Sequence, residues 1–186
     1  MDNRRTFESD FDFTLTLLSD FFAQKRIRST LTKIADAEVT GWEKWWQIEL
    51  AMFMSEYDDI AEWNIEEEFL TDRRQSTTKD FIAIDICFRR KRHASDRLVF
   101  LELKQDLDWK RCILNMLRDA EKFYSGHTRS LLNAEVRSFF LAGVYLRMPK
   151  AEVHDYIEDA AQAREIDWDL MDTRYIADTP FGFTLL

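Results

Sequence analysis

Asp85, Glu102 and Lys104 interrupt two stretches that otherwise read as apolar β-strands. A charge left unpaired inside a protein is costly, so strand-borne carboxylates and an ammonium need a partner or a task. The chemistry that suits them is phosphodiester hydrolysis. Carboxylate oxygens hold a divalent ion, the ion neutralises phosphate charge and makes a water nucleophilic, and an ammonium beside it orients the attack.

The elements that must position these groups follow from alternation. Residues 81–88 are rich in β-branched and aromatic types, which predicts a strand with Ile82, Ile84, Ile86 and Phe88 on one face and Asp85 on the other. Residues 98–104 predict a second strand, with Val99, Leu101 and Leu103 on one face and Phe100, Glu102 and Lys104 on the other. The polar residues between them read as a hairpin loop, which makes the strands antiparallel and brings Asp85 within reach of Glu102. A carboxylate-x-Lys triplet alone proves little in so charged a chain. The sequence holds a second one, Asp108-Trp109-Lys110, which opens a helical pattern and has no strand-borne acid upstream.

A fourth acid comes from a predicted helix over residues 41–54, where Thr40 and Glu43 have capping-box spacing. Its apolar stripe includes Trp42, Trp45, Trp46, Met52 and Phe53, and Glu49 falls within that stripe, so Glu49 is expected to face the core and to need a partner there.

A helix with Glu49, a strand near residues 62–70, the Asp85 strand, the Glu102-Leu103-Lys104 strand, a helix from about Trp109 and a strand near residues 136–146 follow in the order αβββαβ. In that order and those motifs the chain resembles the PD-(D/E)XK, or restriction-endonuclease-like, nuclease superfamily over about residues 40–147. The resemblance implies an α/β domain with a central mixed sheet flanked by helices, carrying extra N-terminal and C-terminal helices. It implies a catalytic set of Glu49, Asp85, Glu102 and Lys104, with Asp85, Glu102 and the carbonyl of Leu103 as ligands of Mg²⁺ or Mn²⁺. Ile84 stands where the superfamily often has Pro. The implied activity is a metal-dependent nuclease, an endonuclease on DNA, of the kind found in defence or repair. Gln105 is expected at the site or the scissile phosphate, and Arg73, Arg74, Lys79, Arg89, Arg90, Lys91 and Arg92 as phosphate contacts. The other class of reading is a catalytically idle nuclease fold that works as a binding or inhibitory module.

The whole chain sets the bounds. Its 186 residues, 46% apolar, suit a single domain with one core and no linker or repeat. The first forty residues read as helical and are expected to pack on the core as a lid or dimer surface, and a homodimer or larger complex fits this reading. Pro149 is expected to open a helix through about Arg164, and the tail to add an edge strand. No apolar run approaches membrane-spanning length and the start lacks a signal-peptide core, so a soluble cytoplasmic protein is expected. Cys87 and Cys112 read as reduced core thiols, and the scattered His93, His127 and His154 support neither zinc nor a His-based triad. The net charge of −9 weighs against nucleic acid, yet residues 71–129 hold 14 Lys and Arg against 9 Asp and Glu. Phosphate attraction follows local potential, so one basic face on an acidic protein suffices.

Overall fold

The computed structural model describes residues 3–70, 81–93, 97–124, 136–166 and 170–186. Among these, six strands form one mixed sheet and five helices cover its two faces. The helices are α1 (Asn3–Ala23), α2 (Lys25–Asp36), α3 (Glu43–Ser55), α4 (Trp109–Tyr124) and α5 (Lys150–Gln162). The strands are β1 (Ile60–Leu70), β2 (Phe81–Arg90), β3 (Leu98–Gln105), β4 (Val136–Leu146), β5 (Asp172–Tyr175) and β6 (Phe181–Leu185). From α3 to β4 the elements run in the expected order αβββαβ.

The sheet order is β1-β2-β3-β4-β6-β5. β1, β2 and β3 are antiparallel neighbours, and β3 pairs with β4 in parallel through the α4 crossover. β4 is buried from Ser138 to Tyr145, as a central strand covered on both faces must be. β6 pairs with β4 and leaves β5 at the edge, so the tail adds two strands rather than one. Pro149 precedes α5 as its N-cap residue, where its fixed φ costs nothing and no N–H is missed.

Alternation in the sheet divides the core. Val99, Leu101, Leu103, Ile86 and Phe88 pack against α1, α2 and α3, while Phe100, Leu141 and Tyr145 pack against α4 and α5. Phe11, Leu15, Leu18 and Phe22 of α1 and Ile27, Leu31 and Ile34 of α2 are all in the first cluster, at helical spacing. The N-terminal helices therefore pack on the core, as expected, and form one wall of it. Asp10 of α1 ties this wall down: it is fully buried and accepts hydrogen bonds from Arg137 Nε (2.7 Å) and Ser138 Oγ (2.8 Å).

Alternation breaks at one place in β2. Ile86 and Phe88 lie in the α1–α3 cluster, but Ile84 packs with α4 on the other side of the sheet. The expectation that Ile84 shares a face with Ile86 and Phe88 fails: the change of face falls at Asp85, just past the last β2–β3 pair and opposite Glu66 with its φ of 52°.

No helix of the described residues is long and apolar enough to cross a membrane. Cys87 and Cys112 are free and buried.

Candidate active site

The β2–β3 ladder runs through Phe88↔Val99, Cys87↔Phe100 and Ile86↔Leu101 and then stops. β3 stays paired with β4 as far as Gln105↔Val144, while β2 continues along β1 to Leu70↔Phe81. The sheet forks, and Asp85 sits at the fork. On its other side Asp85 stands opposite Glu66, between the pairs Ile65↔Ile86 and Glu67↔Ile84, which keep one register. Glu66, opposite Asp85, has φ 52°, a left-handed conformation that a non-glycine residue adopts only at a local distortion.

A fork strands backbone polar groups, which must find other partners if they are buried. At this fork charged and amide side chains provide them. The N–H of Leu103 donates to Asp85 Oδ2 at 2.8 Å, and the carbonyl of Leu103 accepts from Lys104 Nζ at 2.8 Å. The backbone of Gln105 lies beside the Glu43 carboxylate and favours its charged form, and Gln47 Nε2 donates to the Asp85 carbonyl at 2.6 Å. Glu43 and Gln47 are four residues apart on α3 and so share one face of that helix. The parting of β2 from β3 opens the edge of β3 to that face.

Around Lys104 the carboxylates converge. Its Nζ lies 2.9 Å from Asp119 Oδ2, 3.7 Å from Glu102 Oε2, and 4.0 Å from both Asp85 Oδ2 and Glu43 Oε1. Asp85 lies beside Glu102 and opposes its ionisation. Asp119 comes from α4 and is bridged on its outer side by Lys122, whose Nζ is 2.5 Å from Oδ1.

The electrostatics follow from this crowding. Burial, then the charge of Asp85, pushes the Glu102 carboxyl well above the ordinary range, with Lys104 only partly opposing. Glu43 is raised for the same leading reason, burial, again opposed by Lys104. Burial alone would lower Lys104, but Asp119, Glu43 and Glu102 overcome it and hold the ammonium above its usual value. Asp119 is lowered: burial would raise it, and Lys122 and Lys104 outweigh that. Cys112 closes the back of the site, its Sγ 3.6 Å from the Lys104 carbonyl, and burial raises its thiol.

The expected residues are distributed as follows. Asp85, Glu102, Leu103 and Lys104 come together, and Gln105 joins through its backbone, while its side-chain Oε1 is buried with no hydrogen-bond partner. Glu49 does not join them. It lies two residues past Gln47, about 200° around the helix, and pairs with Arg26 of α2 at 2.5 Å. The acid that α3 sends to the fork is Glu43, freed because the Thr40–Glu43 capping box does not form: α3 starts at Glu43, with Trp42 as an N-cap that makes no side-chain cap bond. Asp119 and Gln47 were not anticipated either. Nothing local marks Asp119 as different from other helix acids, but an amide inside an apolar helical run was a signal for Gln47.

Among the described residues, Arg89, Arg90, Lys91 and Arg92, expected to grip substrate, are not gathered at the fork. Arg73, Arg74 and Lys79 lie outside the described residues. Arg89 donates to Glu62 Oε1 at 2.6 Å, and Arg90 donates to the Ser9 carbonyl at 3.1 Å and stacks 4.2 Å from the Phe13 ring centroid. Arg90 is also five residues from Asp85, roughly 16 Å along the strand. Lys91 and Arg92 are exposed in the turn beyond it. The second carboxylate-x-Lys triplet is a helix start: Asp108 Oδ1 accepts from the N–H groups of Lys110 (2.9 Å) and Arg111 (3.3 Å), capping α4.

The donor set can be weighed against Mg²⁺ or Mn²⁺. Among the described residues no group of three or more His, Cys, Asp and Glu side chains forms a ligand cluster. Two carboxylates and the Leu103 carbonyl are nevertheless hard oxygen donors at one point, and Mg²⁺ commonly takes only one or two carboxylates and leaves its other positions to water. The residues fit such an ion, provided that Glu102 gives up its proton and Lys104 yields the Leu103 carbonyl.

No protein family, curated protein or solved structure matches the chain.

Proposed function

We propose that the chain is a metal-dependent nuclease that hydrolyses phosphodiester bonds, acting as an endonuclease on DNA, and that its core is of the restriction-endonuclease-like type. One observation carries the reading: where the sheet forks, Asp85, Glu102, the Leu103 carbonyl and Lys104 meet, with the Lys104 ammonium within 4.0 Å of both strand acids.

In this reading Asp85, Glu102 and the Leu103 carbonyl hold Mg²⁺ or Mn²⁺. The bound ion supplies charge neutralisation at the phosphate and a water acidic enough to attack. Lys104, held protonated by the acids around it, serves as a positioning and electrostatic group rather than as a base. Glu43 takes the place that the resemblance assigned to Glu49, as the helix-borne acid beside the lysine. DNA rests on the resemblance alone.

The test is incubation of purified protein with plasmid, single-stranded DNA and RNA in Mg²⁺, Mn²⁺ or EDTA. Cleavage that needs the divalent ion and disappears in Asp85→Ala and Lys104→Ala supports the enzyme. A second reading, an inactive nuclease fold acting as a binding or inhibitory module, has its own observation: the Lys104 ammonium already bonds the carbonyl that an ion would need. Folded protein inert toward every substrate and both ions would favour it.

A further inference from the structure

Of the five groups facing the Lys104 ammonium, only two are within hydrogen-bonding distance: the Leu103 carbonyl at 2.8 Å and Asp119 at 2.9 Å. Glu102, Asp85 and Glu43 stand off at 3.7 to 4.0 Å. The carboxylate that holds the lysine is thus the one from α4, not either of the strand acids. Asp119 is itself fixed. Its side chain is 17% exposed and its second oxygen is bridged by Lys122 one helical turn on. The α4 helix beneath it packs on β4, with the side chains of Met116 and Cys112 seated over Gly143.

We propose that Asp119 is a positioning residue that draws the Lys104 ammonium toward α4 and keeps it off Asp85 and Glu102. The geometry has a direct consequence for a cation. Lys104 has three donors and a flexible stem, and without Asp119 the acids left around it are Glu102 at 3.7 Å and Asp85 and Glu43 at 4.0 Å, two of which are the strand acids. An ammonium settled between those two acids competes with a divalent ion for the same oxygens. With Asp119 in place, an incoming ion need displace the lysine only from the Leu103 carbonyl, and the ammonium keeps its partner on α4. This inference rests on the nuclease reading for the identity of the ion, but the position of the lysine does not depend on it.

The experiment is calorimetric titration of the folded, substrate-free protein with Mn²⁺ alone. Wild type, Asp119→Asn, Lys104→Met and the double variant are compared, with thermal melting to establish folding. Asp119→Asn is expected to weaken Mn²⁺ binding by about 10- to 100-fold, the usual scale for losing a support around a metal site. Asp119→Glu is expected to recover most of it. In the Lys104→Met background the same Asp119→Asn change should have less than about a threefold effect, because no ammonium is left to restrain. An equal loss in both backgrounds would overturn the proposal, since the acid would then act on the ion simply through its charge. Unchanged affinity in Asp119→Asn alone would overturn it too. If Lys104→Met does not fold, Lys104→Gln replaces it, and the cycle is read the same way. Wild type that binds no Mn²⁺ defeats the nuclease reading and this inference together, whereas wild type that binds and a neutral Asp119→Asn defeats this inference only.

Discussion

Two charge clusters meet β2, one at its end at Arg90 and one at its middle at Asp85, and they are built on opposite principles. At one, the fully buried Asp10 faces Arg90, Arg137 and Ser138: one carboxylate meets two guanidinium groups and a hydroxyl. At the other, Glu43, Asp85, Glu102 and Asp119 surround Lys104, with Lys122 on the outer side of Asp119. The first cluster is saturated with positive charge and ties α1 to the sheet. The second gathers four carboxylates around two ammonium groups, and burial together with the charge of Asp85 raises the Glu102 carboxyl there. A charge cluster that only stabilises is expected to look like the first. An acidic surplus beside a break in a β-ladder is what a cation site needs, and it leaves the folded protein dependent on protons or an added ion for neutrality.

That contrast can be broken most sharply through activity. Asp85→Ala is expected to reduce divalent-ion-dependent cleavage by about 100- to 1000-fold or more, the scale of losing one essential electrostatic contributor. A cleavage assay in which Asp85→Ala keeps wild-type activity would reduce the fork to a structural ion cluster. Next in size is the saturated cluster. Asp10→Ala leaves Arg90 and Arg137 facing each other without a carboxylate and should cost about 3 kcal/mol in urea unfolding, with metal affinity unchanged.

The acidic cluster should respond in the opposite direction. Because the Glu102 carboxyl is raised in the folded state, the folded protein holds this proton more tightly than the unfolded chain does. The stability linked to it is full at pH below the ordinary Glu value and is lost as pH rises through the raised one. Glu102→Gln is therefore expected to stabilise the ion-free protein at pH 8, by on the order of 1 kcal/mol, and to flatten the pH dependence of its melting temperature. Added Mg²⁺ should raise the melting temperature of wild type at pH 8 and not that of Glu102→Gln. A Glu102→Gln protein less stable than wild type at pH 8 would mean that the acid is adequately paired as an anion. The smallest effect is expected at Glu49. Its pair with Arg26 is largely solvated on the arginine side, so Glu49→Ala should change stability by less than about 1 kcal/mol. Its cleavage rate should stay close to wild type, and a rate falling as far as in Glu43→Ala would return Glu49 to the site.

Much of this was legible locally. Period-two alternation places Glu102 and Lys104 on one face of β3 whatever surrounds them, and the polar loop makes β2 and β3 antiparallel. The order of elements and the helix start at Trp109 were equally local. The helix-borne acid was not, because α3 is apolar around much of its circumference. Trp45, Trp46, Met52 and Phe53 suggested a stripe that included Glu49, but the buried face is Trp46, Gln47, Leu50, Ala51 and Met54, and Met52 is 49% exposed. A helix that is greasy on several sides does not declare its own phase, and docking on the sheet decides it.

The amino-acid order by itself determined the strands, their alternation and the pairing of an acid-x-lysine triplet with an upstream strand acid, since these depend only on backbone period and residue type. Tertiary structure alone decided that β2 parts from β3 at Asp85, that Glu43 and Gln47 fill the gap, and that Asp119 holds the lysine. The reason is physical: a ladder that stops leaves N–H and C=O groups that must be satisfied, and which side chains satisfy them depends on how helices distant in sequence come to rest on the sheet.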